Sequence, residues 1–280
     1  MTDINVGRFG IWRPAAGLDA ELAANAEALG YGTVWIGGSP DGELAIAERM
    51  LAATDRLVVA TGIVNMWATP AEQVAASYHR LNDRHGGRFL LGVGIGHPEA
   101  SSEYRSPYET IVGYLDRLDA EGVPVNGRVL AALGPKVLRL AAERAAGAHP
   151  YLVTPEHTRR AREELGIGPL LAPEQKVVLQ SDATRARELG RANVADIYLK
   201  LRNYTANLKR LGWSDEDIAD GGSDALIDAI IAHGAPGRAA ARLTEHLDAG
   251  ADHVAVQLLT PPGEDVLPGL RALAEALDLG

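Results

Sequence analysis

Residues 129–146 read Val-Leu-Ala-Ala-Leu-Gly-Pro-Lys-Val-Leu-Arg-Leu-Ala-Ala-Glu-Arg-Ala-Ala. A short apolar run, Val129–Leu133, gives way through Gly134 to an Ala-rich stretch, Pro135–Ala146, with helical spacing. Pro135 suits the first helical position, because its missing N–H is one that no helix could satisfy there. This strand-to-helix step recurs along the chain and predicts parallel βα units.

Working outward, strands are expected at Asn5–Trp12, Thr33–Gly37, Leu57–Met66, Arg88–Gly96, Val129–Leu133, His149–Val153, Lys176–Gln180 and His253–Leu259. Helices fall between them, with Asp19 and Thr154 as N-caps and Gly30 as a stop. Leu57–Met66 is almost unbroken apolar sequence, as in a strand covered on both faces. Thr184 to about His233 reads as a long helical region broken at Gly212 and Gly221-Gly222. The expected architecture is α/β, a single (β/α)8 TIM barrel over 1–280 with a helical insertion after strand seven.

The composition bounds the function. The formal charge is −10, and no run of Lys and Arg occurs, so neither nucleic acid nor an anionic membrane is an expected partner. The absence of cysteine removes thiolate nucleophiles and Cys-ligated metals. No His pair has metal-ligand spacing, so no metal is expected. There is no Gly-x-Ser-x-Gly elbow. The first dozen residues lack signal-peptide character and no stretch is long and apolar enough to span a bilayer, so the expected location is cytoplasmic.

Barrel enzymes place their chemistry at the carboxyl ends of the strands. Here those ends carry Trp12, Gly37-Gly38-Ser39, Asn65-Met66-Trp67, Gly96-His97, Leu133-Gly134, Tyr151, Gln180 and Gln257. In Gly92-Val93-Gly94-Ile95-Gly96-His97, alternate glycines admit a flat ring or simply tight strand packing. His97-Pro98 follows where a Rossmann helix would have to start, so that reading is rejected. Gly134-Pro135-Lys136 is either an ordinary helix start or an anion site built from free N–H groups, the helix dipole and the Lys136 charge.

Three blocks carry a family resemblance: Ala28-Leu29-Gly30-Tyr31-Gly32-Thr33-Val34-Trp35-Ile36, Phe89-Leu90-Leu91-Gly92-Val93-Gly94-Ile95-Gly96, and Leu133-Gly134-Pro135-Lys136 continuing to Ala148. In order and spacing they resemble the luciferase-like monooxygenase superfamily, and more narrowly its actinobacterial branch that uses the deazaflavin coenzyme F420. The resemblance implies hydride transfer between the deazaflavin and a small organic substrate at the barrel mouth. It implies a non-proline cis peptide at Gly62-Ile63 supporting the ring, and Gly96 and His97 bordering it. Leu133, Gly134, Pro135 and Lys136 would take the phosphate. Trp12, Ser39, Trp67, Tyr104 and Tyr151 would line the substrate side. It also implies a homodimer through the helices after strands two and three, where Leu44, Ile46, Met50, Leu51, Val74 and Tyr78 offer apolar side chains. One departure matters: where many F420-dependent members carry Asp-His after the Val-Trp of strand two, this chain has Gly38-Ser39. His97 is the natural substitute for the acid–base role, with an ordinary pKa near 6.5, although it could equally be a turn residue. Two alternatives stay open: an FMN-dependent monooxygenase of the same family, and a barrel that binds flavin or deazaflavin without catalysis.

Overall fold

The computed structural model describes residues 4–96 and 106–280. Its strands, in chain order, are β1 (Phe9–Pro14), β2 (Thr33–Gly37), β3 (Val58–Thr61), β4 (Val64–Asn65), β5 (Phe89–Gly94), β6 (Arg128–Leu130), β7 (Gly147–Ala148), β8 (Leu170–Leu171), β9 (Glu174–Val178), β10 (Ile231–His233) and β11 (Val254–Leu258). Every pairing is parallel, in the order β10-β9-β11-β1-β2-β3-β5-β6-β7-β8, with β4 beside β5.

The two ends of that path are one stretch of chain. β8 pairs with β7, and three residues on, β9 pairs with β11. Between them Ala172 N–H donates to Ala148 O at 2.9 Å and Glu174 N–H to Pro150 O at 2.8 Å. The sheet therefore closes into the expected barrel. Inside it pack Trp12, Trp35, Ala60, Leu90, Val129, Ala172 and Ala255. Between strands and helices lies a larger core that includes Ile11, Val34, Ile36, Val59, Leu91 and Val256.

The helices begin where their caps dictate. Asp19 accepts from Leu22 N–H at the start of α1 (Ala20–Ala28), and Thr154 accepts from His157 N–H ahead of α6 (Pro155–Leu165). Around the rest of the ring run α2 (Ala45–Ala52), α3 (Ala71–Arg84), α4 (Pro107–Ala120), α5 (Pro135–Arg144), α11 (Pro236–Asp248) and α12 (Leu267–Ala276). The insertion after the seventh barrel position holds α7 (Ala183–Val194), α8 (Arg202–Arg210), α9 (Asp215–Ile218) and α10 (Asp224–Ile230), packed on its own cluster of Leu152, Val194, Tyr204, Leu208 and Ile227.

Several details differ from the sequence expectation. The apolar run at 57–66 is split into β3 and β4 by Gly62-Ile63, whose peptide bond is cis, as the resemblance implied. The sixth strand is only Gly147–Ala148, ahead of the expected His149–Val153, none of which is in a strand. The seventh begins at Leu170, and the expected end of the helical region is β10, hydrogen-bonded to β9. The apolar surface expected for dimerisation does not exist in the form anticipated: Leu44, Met50, Leu51, Val74 and Tyr78 are buried within the monomer core. No helix among the described residues is long and apolar enough to cross a membrane.

Candidate functional site

A cavity of about 390 Å³ opens at the carboxyl ends of the strands. Its walls come from much of the ring: Trp12 on β1, Gly38 and Ser39 after β2, Gly62, Ile63 and Asn65 around β4, and Ile95 and Gly96 after β5. Ala131, Ala132, Leu133 and Gly134 follow β6, and His149 and Tyr151 follow β7. The insertion roofs it with Tyr198, Asn203, Tyr204 and Arg210.

Of the residues singled out in the sequence, Trp12, Ser39, Gly62, Ile63, Gly96, Leu133, Gly134 and Tyr151 line this cavity together. Pro135 opens α5 but faces the neighbouring crevice, and Trp67 lies off the lining in the turn after β4. The Lys136 ammonium sits 3.6 Å from the centre of the Tyr108 ring. His97 and Tyr104 lie outside the described residues.

At the α5 end, Gly134 has an extended backbone (φ −97°, ψ 157°) and caps the helix without a side chain. Its carbonyl takes the Val137 and Leu138 N–H groups, which leaves the Lys136 N–H in the first turn with no partner within the helix. A Cβ built on Gly134 would meet only Arg210 Nη2, at 3.7 Å. Arg210 reaches this point from α8; its Nη2 donates to Asn207 Oδ1 at 3.1 Å, and it has no carboxylate partner among the described residues. Partial burial lowers its pKa. His157 holds the loop from behind, its Nε2 2.9 Å from Leu133 O.

At the opposite end, the backbone of Gly62 lies bare under Trp12 and His149. A Cβ there would be 2.7 Å from Trp12 Nε1 and 2.9 Å from His149 Nε2, so only glycine leaves the space open. His149 stacks on Trp35 (4.1 Å between centroids, 7° between planes), and burial drives its pKa down to about 4. Beneath, Trp35 Nε1–H donates to His253 Nε2 at 2.9 Å, and His253 Nδ1 lies 2.8 Å from Gly7 O.

A buried polar network supports the third wall. Glu174 and Lys176, two residues apart on β9, point to the same side of the sheet and pair at 3.1 Å, both fully buried. Lys176 Nζ also donates to Tyr151 OH at 2.6 Å and Gln257 Oε1 at 2.8 Å, and Glu174 Oε2 accepts from Leu152 N–H at 3.0 Å. Tyr151 OH in turn lies 3.1 Å from Tyr198 OH. Burial raises the Glu174 pKa and lowers that of Lys176, each opposed by the other's charge. The site thus has a cationic end, an apolar middle (Ile63, Ile95, Ala131) and a polar aromatic wall. No cluster among the described residues could ligate a metal.

Sequence reading missed Arg210, Tyr198, Asn203 and Tyr204, because nothing local says how an insertion folds back. His149 carried a usable signal, standing directly at a strand end.

Residues 19–120 match the family described as luciferase-like monooxygenase, while no curated protein matches the sequence. Among solved structures, an F420-dependent secondary alcohol dehydrogenase in complex with an F420–acetone adduct superposes with a TM-score of 0.75 at 14% identity, over 97% of this chain and 98% of that one. The coenzyme F420-dependent tetrahydromethanopterin reductase of Methanopyrus kandleri gives 0.75 at 18% identity, over 97% and 98%. The FMN-bound oxygenating constituent of 3,6-diketocamphane monooxygenase from Pseudomonas putida gives 0.66 at 14%, over 97% and 96%. At such identities the likeness establishes the fold. Through residues 19–120 the chain matches the luciferase-like monooxygenase family, and over nearly its whole length it folds as these F420- and FMN-dependent proteins do.

Proposed function

We propose that the chain is a luciferase-like oxidoreductase that binds coenzyme F420, or in the second reading FMN, within this cavity and acts on a small organic substrate. The observation that carries the proposal is Arg210, a guanidinium without a carboxylate partner among the described residues, set beside bare Gly134 at the start of α5 and opening into the same cavity as Gly62. A phosphate fits that end by charge and by the Lys136 N–H of the helix start, which has no partner within the helix. The apolar surface of Ile63, Ile95 and Ala131 suits a ring system. Such a cofactor supplies hydride chemistry as F420, or oxygen activation as FMN; the chain holds, orients and shields it. In this reading Arg210 takes the charge-pairing role that the sequence suggested for Lys136.

The test is a set of cofactor titrations read by ring fluorescence. Gly134→Leu is expected to fold, since its backbone is in the extended region and its Cβ meets no backbone atom. Its side chain fills the approach to the helix start and is expected to weaken binding about 100-fold or more, near 2.7 kcal/mol. Arg210→Ala is expected to cost about tenfold, the scale of one charge-assisted hydrogen bond. Lys136→Ala is expected to cost less than about threefold, because its ammonium is engaged on Tyr108. Unchanged affinity in folded Gly134→Leu would place the phosphate elsewhere.

A further inference from the structure

Helix α8 spans the roof of the cavity from one end to the other. Its last residue, Arg210, stands at the cationic end, with Nη2 3.7 Å from where a Gly134 Cβ would be. Its first turn lies at the Gly62 end. There Tyr204 packs against Tyr151 and Tyr198, at 6.3 and 5.3 Å between ring centroids, and Tyr151 packs at 5.1 Å on Trp12, which covers Gly62. Asn203, Ala206 and Arg210 all line the cavity, and their spacing of three and seven residues puts them on one face of the helix. At about 1.5 Å per residue, Asn203 and Arg210 are about 10 Å apart along it. Asn203 is exposed, and its carboxamide has no hydrogen-bond partner among the described residues. The Tyr151 hydroxyl at the same end is already engaged with Lys176 and Gln257.

We propose that Asn203 reads the imide edge of the cofactor ring, the N–H flanked by carbonyls that flavin and deazaflavin share, while Arg210 holds the phosphate. The proposal rests on the reading of this cavity as a cofactor site. A carboxamide carries an N–H donor and a C=O acceptor side by side. It therefore answers a ring carbonyl and the adjacent ring N–H together, through two parallel hydrogen bonds. The benzenoid part of the ring is poorer in such groups and belongs on the apolar surface of Ile63, Ile95 and Ala131. With the phosphate held at one end of α8, the imide edge is the polar group left to meet the other end. Ala206, between the two, keeps that stretch of the roof clear of a long side chain. One face of α8 thus measures the ligand from its anion to its ring edge.

The experiment titrates the full chain with FMN and with F420, and then with the N3-methyl derivative of whichever binds, by calorimetry and ring fluorescence. Methylation removes the ring N–H and is expected to weaken binding to the wild type about tenfold. Asn203→Leu is expected to fold, since the position is exposed and its side chain bonds no described residue. That variant is expected to bind the native cofactor about tenfold more weakly, and methylation is expected to cost it nothing further. Arg210→Ala is expected to weaken both ligands equally, so the methylation ratio stays near ten. With 15N-labelled asparagine, the native cofactor is expected to move the Asn203 side-chain amide resonance, and this decides the matter if Asn203→Leu fails to fold. A methylation cost that is equal in the wild type and Asn203→Leu, or an unmoved amide resonance under saturating cofactor, overturns the proposal and leaves the cofactor site standing. Binding of neither cofactor overturns both.

Discussion

Replacing Lys176 with methionine is expected to destabilise the fold by about 3–5 kcal/mol, the scale of a buried ion pair broken from one side. Lys176 and Glu174 are both fully buried, and the ammonium is the charge partner of Glu174. Without it the carboxylate keeps the Leu152 N–H as its remaining hydrogen bond, in surroundings that already push its pKa upward by desolvation. Tyr151 and Gln257 lose a donor at the same time. The double variant Lys176→Met with Glu174→Gln removes both charges and keeps an acceptor for Leu152, so it is expected to recover most of the loss. Urea midpoints for the two proteins check this. A single-variant cost below about 1 kcal/mol would mean that water reaches the pair and that the wall behind Tyr151 is open.

Acid is expected to unfold the protein between about pH 5.5 and pH 4. Burial lowers the pKa of His149, His157 and His253 to about 4 and that of His246 to about 3. Their unfolded value is near 6.5, so below that pH the unfolded chain binds protons that the folded chain refuses. The contribution of these neutral imidazoles is therefore complete above pH 6.5 and is lost as pH falls toward their folded values. Each pKa unit is about 1.4 kcal/mol, so at pH 5 the four together oppose folding by roughly 8 kcal/mol, comparable with a whole domain's stability. Circular dichroism against pH measures the midpoint. A protein still folded and cooperative at pH 3.5 would show that these imidazoles are reached by water.

The sequence revealed most where local chemistry decides the outcome. Asp19 and Thr154 cap helices because their side chains answer free N–H groups within three residues, and an apolar run between turn residues can only be a strand in a covered sheet. It revealed least where tertiary pairing overrides pattern. Glu174 hides the start of the seventh strand, expected only from Lys176, since its charge argues against burial until Lys176 and the Leu152 N–H are seen to answer it. Ile230-Ile231 continues an apolar helix in sequence but leaves it for β10, because β9 offers an unpaired edge there. The strand-end rule pointed to Trp12, Ser39, Gly134 and Tyr151, whose positions in the cavity lining follow from the barrel itself, and the resemblance added Gly62. Arg210 and Tyr198 could not be found that way, because they reach the cavity only through the packing of the insertion.

The central claim, that this cavity is a cofactor site with its anion end at Gly134 and Arg210, is tested most directly by titrating the purified chain with F420 and with FMN and following ring fluorescence. The account predicts saturable one-to-one binding of one of them with Kd below about 10 µM, near −7 kcal/mol, and its loss in Gly134→Leu. Folded protein that binds neither at several hundred micromolar, or that binds one equally well in Gly134→Leu, would contradict it.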